Sequence, residues 1–181
     1  MNSGKSDTLI KTAYNYEERG LSVLVVKPAI DTKGDAHIVA RGGFTRPVDI
    51  MANETANLEK EVAAHKDISC VLVDEAQFLT PEQISQLYKV AKQYNISVIC
   101  FGLRADFRTE IFPGAKRLFE IADNISKLPT MCFCGSQAEF NCRKVNGNYV
   151  FDGNQVAIED ETETTYDSLC GNCYVKQGGT I

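Results

Sequence analysis

The first group of residues that could do chemistry is the tripeptide Gly4-Lys5-Ser6, which directly precedes a helical pattern. Backbone N–H groups at a helix N-terminus bind phosphate, a lysine there neutralises its charge, and a hydroxyl can hold Mg²⁺. A complete loop of this type has another glycine five residues before Gly4, a position that lies ahead of Met1. The tripeptide therefore indicates the second half of a phosphate-binding loop, and an ordinary helix start with a solvated lysine is the alternative.

The second group is an acidic pair, Asp74 and Glu75, that follows the apolar run Cys70-Val71-Leu72-Val73. Ligand sites of open α/β sheets lie at the carboxyl ends of such strands. Pleating directs the two side chains to opposite sides, so Asp74 can support Mg²⁺ while Glu75 accepts a proton. A solvated pair at a strand end is the alternative, and the nearby half of a phosphate loop favours the catalytic interpretation.

The third group consists of two close cysteine pairs, Cys132-Phe133-Cys134 and Cys170-Gly171-Asn172-Cys173. Four thiolates arranged in this way are typical of a closed tetrahedral Zn²⁺ site, and buried free thiols are the alternative. Cys70 and Cys100 lie in apolar runs and are interpreted as small core residues. Cys142 is also interpreted as structural, although of these three it is the one that could most easily be a ligand.

Alternating helices and strands are needed to position these groups. A helical pattern over residues 6–19 ends at Gly20, and a wholly apolar strand follows over residues 21–26. The alternation continues with helices over 54–65, 81–94 and 114–122 and with strands over 70–74, 96–102 and 125–128. Crossover helices of this length predict a doubly wound, mostly parallel α/β sheet.

The composition of the chain changes after about residue 130. Cysteines cluster there, and Asn146-Gly147 lies in the middle of a pattern typical of a tight hairpin. We therefore predict an α/β domain over residues 1–129 and a small zinc-binding module over residues 130–181.

Charge and hydropathy exclude several classes of partner. The formal net charge is −5 and the basic residues are dispersed, so a nucleic acid is not the expected ligand. The longest apolar runs are far shorter than the ~20 residues that cross a bilayer, so no membrane span is expected. The first residues lack the apolar core of a secretory signal, which predicts the reducing cytoplasm and argues against disulfides.

Taken in order, the motifs closely resemble the zinc-containing thymidine kinases of the cytosolic, type II class. They are Met1-Asn2-Ser3-Gly4-Lys5-Ser6, Lys27-Pro28-Ala29-Ile30-Asp31-Thr32, Asp74-Glu75-Ala76-Gln77-Phe78, Gly102-Leu103-Arg104-Ala105-Asp106-Phe107-Arg108, and the two cysteine pairs with Tyr166 four residues before Cys170. The resemblance implies a P-loop, RecA-like fold with a small zinc-binding β module and a lasso-like loop. It also implies transfer of the γ-phosphate of ATP to the 5′-hydroxyl of thymidine.

The resemblance assigns roles to individual residues. It makes Glu75 the general base on the 5′-hydroxyl. It assigns ATP and its Mg²⁺ to Met1, Asn2, Ser3, Gly4, Lys5, Ser6, Asp31, Asp74 and Gln77. It assigns the nucleoside to Phe78, Leu103, Phe107 and Tyr166, and structural Zn²⁺ to Cys132, Cys134, Cys170 and Cys173.

The resemblance also implies a homotetramer that is inhibited by thymidine triphosphate. Two departures from the family pattern affect the site. Lys33 stands where the family usually has an arginine, and a lysine cannot form the same bidentate phosphate contact. A glycine pair usual before the substrate tyrosine is replaced around residues 158–161.

Two other classes of protein fit parts of the pattern. A P-loop ATPase would use the acidic pair to activate water, and a non-catalytic zinc-ribbon module could retain a degenerate nucleotide fold. We further expect 8–15 residues ahead of Met1, roughly enough for a strand and the first half of the loop. That strand is expected to lie beside the strand that ends in Asp74.

Overall fold

A computed structural model of the 181-residue chain describes residues 3–155 and 164–180. Its described residues form two compact units. The α/β unit comprises Gly4–Leu103 and Pro113–Ile125, and the cysteine unit comprises Met1–Ser3, Arg104–Phe112 and Ser126–Ile181.

The α/β unit alternates helices and strands. Its elements are α1 (Lys5–Glu17), β1 (Ser22–Pro28), β2 (His37–Val39), β3 (Thr45–Pro47), β4 (Ile50–Ala52), α2 (Leu58–Ala63), β5 (Ile68–Val73), a 3₁₀ turn (Ala76–Phe78), α3 (Pro81–Gln93), β6 (Ser97–Cys100) and α4 (Pro113–Ile121). Four strands form a parallel sheet in the order β4-β1-β5-β6, and β2 pairs with β3 in an antiparallel ribbon.

Both faces of the parallel sheet are buried. Leu24 and Val26 of β1 pack in a cluster that includes residues of α2 and α3, while the alternate residues Val23 and Val25 pack with Leu9 of α1. Because successive side chains of a strand point to opposite faces, a strand covered on both sides reads as a continuous apolar run. This burial explains why β1 and β5 were recognisable from the sequence, and it confirms the doubly wound α/β fold.

Local hydrogen bonds fix where the helices begin and end. Thr80 and Gln83 form a reciprocal capping box at the start of α3, with Pro81 in the first turn. Asn57 caps α2 by accepting a hydrogen bond from Lys60 N. Gly20 follows α1 with a φ of 74°, the left-handed conformation predicted for it.

The cysteine unit contains a three-stranded antiparallel sheet and one short helix. Its elements are β7 (Phe140–Val145), β8 (Asn148–Val150), β9 (Thr164–Leu169) and α5 (Gly171–Lys176), and the strand order is β8-β7-β9. Asn146 and Gly147 both have positive φ, at 49° and 79°. Two consecutive positive φ values are the requirement of the tight hairpin turn that the sequence predicted.

Three expectations about secondary structure need correction. Residues 125–128 do not form a strand; they are mostly exposed and are followed by Pro129, so a strand there would gain little burial. The helix predicted over residues 54–65 begins only at Leu58, because Asn53 accepts a hydrogen bond from Thr55 N in a turn. The short strands β2, β3 and β4 were not predicted.

The expected position of an additional strand beside β5 is also wrong. In the parallel sheet β5 pairs with β1 on one side and with β6 on the other, so both of its edges are already occupied. Separately, none of the helices in the described parts of the chain is long and apolar enough to cross a lipid bilayer.

Candidate active site

The start of α1 lies beside the carboxyl end of β5. Gly4 adopts a left-handed conformation (φ 72°) directly before α1, and the Ser6 hydroxyl donates a hydrogen bond of 3.3 Å to the Asp74 carboxylate. The Lys5 Nζ lies 3.9 Å from the Glu75 carboxylate. The glycine-lysine-serine motif and the acidic pair, which are about 70 residues apart in sequence, therefore meet at one edge of the sheet.

Asp74 is buried at this edge. Burial raises its pKa above the ordinary value, and the adjacent charge of Glu75 raises it further. The Glu75 N–H, Lys5 and Ser6 act in the opposite direction and favour the ionised form. A buried carboxylate that retains a hydroxyl and an ammonium group nearby is suited to binding a divalent cation, which would stabilise its charge.

Glu75 has an unusual backbone conformation. Its φ of 45° and ψ of 40° place it in the left-handed region, which costs a residue with a Cβ about 1–3 kcal/mol. Its carboxylate accepts a hydrogen bond of 2.6 Å from the Gln77 side-chain amide. The turn directs this side chain to the same edge of the sheet as Lys5.

Gln77 connects Glu75 to the segment that follows β6. Its side chain is 2% exposed, its Nε2 donates to Glu75, and its Oε1 accepts a hydrogen bond of 3.0 Å from Leu103 N. The absence of a Cβ at Gly102 makes this contact possible, since a Cβ there would lie 2.8 Å from Gln77 Oε1. Sequence reasoning assigned Gln77 to the nucleotide, whereas the amide atoms of this side chain bind protein groups.

The start of α4 packs directly on the turn that carries these residues. A Cβ on Gly114 would overlap the Leu79 carbonyl oxygen and lie 2.8 Å from Gln77 O. We expect Gly114→Ala to lower the free energy of unfolding by roughly 1–3 kcal/mol and to reduce turnover, because the backbone of the turn must shift. Chemical denaturation measures the first effect and initial rates the second.

Gly42→Ala is the matched control, since a Cβ there meets nothing closer than 3.5 Å and its φ is not positive. We expect that variant to remain within about 0.5 kcal/mol of the original protein. Equal effects of the two substitutions would contradict the close packing of α4 on the turn.

The loop after β1 is held by a buried lysine. Lys27 Nζ donates to the carbonyl oxygens of Lys33 (2.5 Å) and Asp35 (3.2 Å) and lies 3.1 Å from the Asp31 carboxylate. Asp31 also accepts a hydrogen bond from Lys33 N. Asp31, which sequence reasoning assigned to the nucleotide, therefore fixes the loop that presents the exposed side chain of Lys33. Lys27 begins one of the motifs that carry the resemblance, but the sequence did not indicate this role for it.

Two residues assigned to the nucleoside belong to the α/β unit. Leu103 is half-buried and is held by the Gln77 side chain. Phe78 is half-buried and lines a small cavity of about 40 Å³, together with Pro28, Ile30, Ala52, Asn53, Glu54 and Gln83. Among the loop residues assigned to ATP, Ser3 lies in a bend before Gly4, whereas Met1 and Asn2 lie outside the described residues, as do residues 158–161.

The four paired cysteines come together in the cysteine unit. The Sγ atoms of Cys132, Cys134, Cys170 and Cys173 all lie within 4.8 Å of one another, so they could hold one metal ion. A tight turn closed by the Gly135 N–H donating to Cys132 O presents the first pair. The second pair is presented by the start of α5, where the Tyr174 N–H donates to Cys170 O.

The cysteines of this unit differ in the pKa of their thiols and in whether they belong to the cluster. Within the cluster, hydrogen bonds from the Ser136 backbone and hydroxyl lower the pKa of Cys134 to about 6, whereas burial raises the pKa of Cys173 to about 12. Burial raises the pKa of Cys142 to about 12, and its Sγ is not part of the cluster. Cys142, like the fully buried Cys70 of β5, is a core residue, as predicted.

The other two residues assigned to the nucleoside lie in the cysteine unit. Phe107 is 2% exposed, and its carbonyl oxygen accepts a hydrogen bond of 3.1 Å from the Tyr174 hydroxyl. Tyr166 lies on β9 opposite Arg143 of β7, and the Arg143 Nε donates to its hydroxyl. Arg143 and Tyr174 were missed by sequence reasoning, because neither belongs to a motif whose spacing indicates a ligand.

A doubly wound parallel sheet with a glycine-lysine-serine helix start beside two carboxylates defines a nucleotide-binding phosphotransferase. The family profile described as thymidine kinase matches residues 1–174. The chain therefore belongs to the thymidine kinase family.

Individual relatives agree with this assignment. The chain is 45% identical to a thymidine kinase of Enterobacteria phage T4, over 94% of this chain and 89% of the relative. It is 42% identical to a thymidine kinase of Mannheimia succiniciproducens over 100% of this chain and 94% of the relative. The corresponding protein of Pasteurella multocida is 41% identical, over 94% of this chain and 90% of the relative. Membership of the family makes the chain a transferase that phosphorylates thymidine with ATP, and it does not favour the ATPase or the non-catalytic alternative.

Proposed function

We propose that Glu75 is the general base that accepts the proton of the thymidine 5′-hydroxyl as its oxygen attacks the γ-phosphorus of ATP. The observation that carries this proposal is the meeting of Lys5 and Ser6 with Asp74 and Glu75 at one edge of the sheet. The P–O bond to ADP breaks as the new ester forms, and the proton passes to Glu75. Phosphoryl transfer depends mainly on positioning and charge neutralisation, which this set of side chains can supply.

The donor side of the proposed site is formed by Lys5, Ser6 and Asp74. The α1 N-terminus with Gly4 binds phosphate oxygens, and Lys5 balances their negative charge. Ser6 and Asp74 would hold Mg²⁺, which neutralises charge on the phosphate oxygens when it is bound. The buried Asp74 carboxylate and the adjacent hydroxyl have the oxygen chemistry that Mg²⁺ requires.

Other residues are proposed to shape the two substrate positions. Asp31 contributes to the donor side by holding the loop that presents Lys33. Gln77 contributes by holding Glu75. Contacts with the nucleoside are proposed for Phe78, Leu103, Phe107 and Tyr166.

We propose that the cysteine cluster holds one structural Zn²⁺. Four Sγ atoms within 4.8 Å of one another provide the complete donor set of a tetrahedral site, with no position left for a substrate. By resemblance to the family we also propose a cytoplasmic homotetramer that thymidine triphosphate inhibits.

The proposed function is tested by measuring thymidine monophosphate and ADP with purified protein, Mg²⁺ and ATP. ADP release should require thymidine and should equal the amount of monophosphate formed. Deoxyuridine and the other deoxynucleosides, assayed in parallel, define selectivity. Release of ADP at the same rate without a nucleoside would instead support an ATPase.

Asp74→Asn tests the donor side separately. A hydrogen bond to a charged group is worth about 1.5–3 kcal/mol, and a loss of the same size on removal of this carboxylate would lower turnover at fixed Mg²⁺ about 10–100-fold, with partial recovery at higher Mg²⁺. Titration of the initial rate with Mg²⁺ measures both effects. Unchanged Mg²⁺ dependence would contradict the assignment.

The stability of the same variant provides a control against general damage. Because burial raises the pKa of Asp74 in the fold, the ionised carboxylate reduces stability above its ordinary pKa of 3.8, and this cost disappears as the pH falls below the raised value. Asparagine removes the cost. The melting temperature of Asp74→Asn in metal-free buffer at neutral pH should therefore not fall below that of the original protein.

A further inference from the structure

Arg143 is a buried cation in the cysteine unit, and its hydrogen-bond acceptors and the ring beneath it are uncharged. Its side chain is 6% exposed, and its guanidinium carbon lies 3.8 Å from the centre of the Phe107 ring. Within residues 3–155 and 164–180, no carboxylate forms an ion pair with it. A buried charge is costly unless hydrogen bonds and aromatic faces compensate for lost hydration, so its burial needs an explanation.

The guanidinium joins two separate stretches of chain. Its Nε donates to the Tyr166 hydroxyl (3.1 Å), and its two terminal nitrogens donate to the carbonyl oxygens of Asn154 (2.9 Å) and Gln155 (3.1 Å). Because the guanidinium is planar and rigid, these three bonds fix Tyr166 relative to residues 154–155. The pairing of Arg143 with Tyr166 across β7 and β9 sets the same register in the backbone.

Phe107 is held at both ends by this arrangement. Its ring lies against the guanidinium, and its carbonyl oxygen accepts the hydrogen bond from Tyr174. Tyr174 is itself fixed by stacking on Phe140 (4.6 Å) and by an edge contact with Phe151 (5.3 Å). Two guanidinium groups lie against the Phe107 ring, that of Arg143 at 3.8 Å and that of Arg108 at 5.8 Å from its centre. Arg143 is the closer of the two, and it can be substituted without touching the Phe107 backbone.

We propose that Arg143 is a positioning residue that sets Phe107 and Tyr166 in the relative orientation in which they contact the nucleoside. The inference rests on the proposed function, which assigns these two aromatic side chains to thymidine. Arg143 acts through them and does not touch the reacting atoms. Its loss should therefore weaken the use of thymidine and leave the use of ATP unchanged.

The test compares Arg143→Met and Arg143→Lys with the control Lys144→Met. Lys144 is the next residue of β7, on the opposite face of the strand, where it pairs with Asp167. We expect Arg143→Met to lower kcat/KM for thymidine by about 10–100-fold through a higher KM, since small displacements of substrate-positioning groups have effects of this size. The kcat/KM of Arg143→Lys for thymidine should lie between those of Arg143→Met and the original protein. The KM for ATP should change less than twofold in Arg143→Met, Arg143→Lys and Lys144→Met.

A double-mutant cycle with Tyr166→Phe shows whether Arg143 affects the KM for thymidine through its hydrogen bond to the Tyr166 hydroxyl. Tyr166→Phe removes the hydroxyl that accepts the Arg143 Nε–H, so the combined variant should lose less than the product of the two single losses. Melting temperature and metal content are measured for each protein. If Arg143→Met is too unstable to assay, Arg143→Lys in the same cycle decides.

These measurements distinguish a failure of the inference about Arg143 from a failure of the proposed nucleoside contacts. If Tyr166→Ala and Phe107→Leu raise the KM for thymidine while Arg143→Lys and Arg143→Met do not, the inference about Arg143 is wrong and the nucleoside assignment stands. Equal rises in both KM values, or losses that multiply in the cycle, would make Arg143 a merely structural residue. If none of the aromatic variants affects thymidine, the assignment of these residues in the proposed function is itself wrong.

Discussion

Replacing Glu75 with glutamine is expected to lower turnover by about 10²–10⁴-fold while ATP still binds. The amide oxygen of glutamine can still accept the hydrogen bond that Gln77 donates, so the side chain should keep its position. The amide cannot accept the proton of the 5′-hydroxyl, so the substitution removes the base together with the negative charge beside Lys5, while the shape of the side chain is kept. Initial rates with saturating thymidine and equilibrium binding of ATP measure the two parts of this result.

Glu82→Gln is the matched control for that variant. Glu82 is an exposed carboxylate in the first turn of α3, in the same unit, and its removal should leave turnover nearly unchanged. Near-normal turnover of Glu75→Gln would contradict the assignment of the base. A shift of the pH–rate profile without a loss of rate would also contradict it, because the base itself would then still be present.

Replacing Cys170 with serine is expected to abolish stable metal binding and, with it, most thymidine phosphorylation. In isolated zinc fingers metal binding is worth about 10–16 kcal/mol of folding free energy, and even indirect partners of a ligand change affinity by about 10–100-fold. Cys170 directly follows β9, which carries Tyr166, and directly precedes α5, which carries Tyr174. Loss of the metal should therefore affect Tyr166, a proposed nucleoside contact, and Tyr174, whose hydroxyl bonds the other proposed contact, Phe107.

Elemental analysis should find one Zn²⁺ per chain in the original protein and much less in Cys170→Ser. Cys142→Ala is the control: it removes a buried thiol of the same unit that is not part of the cluster, so zinc content should stay at one. Full zinc content together with unchanged thymidine affinity in Cys170→Ser would rule out this set of ligands.

Much of the fold could be predicted because the patterns that indicate its strands, helices and turns lie within single continuous stretches of the sequence. The buried strands β1 and β5 are continuous apolar runs. The start of α3 is indicated by a capping box and a proline. The Asn146-Gly147 turn follows from backbone sterics alone. The cysteine cluster was predictable because two close thiol pairs have few structural uses.

The missed elements are short or depend on distant partners. β2, β3 and β4 have three residues each, which is too few for any periodicity to be visible. The order of the parallel strands is equally hidden, because every interior strand of such a sheet has the same apolar pattern whichever neighbour it pairs with. This is why the neighbours of β5 were predicted incorrectly.

The site itself was only partly readable from the sequence. Motif spacing identified the side chains that could bind phosphate or accept a proton, such as Lys5 and Glu75. It could not identify the residues that position other side chains and loops, because Lys27 and Arg143 act through hydrogen bonds to backbone carbonyl groups, and the bond of Gln77 to Leu103 N reaches far along the chain. Such roles become visible only when the tertiary contacts are known.

The left-handed backbone at Glu75 has a consequence for protein engineering. Glycine or asparagine would adopt this conformation more easily than glutamate, so a redesign that optimised stability alone would favour either of them at this position. Such a redesign would yield a more stable protein that lacks the carboxylate we propose as the general base. If Glu75 is the base, as we propose, the conformational preference of the backbone at residue 75 and the requirement of the reaction are opposed, and a stabilisation library should hold this residue constant.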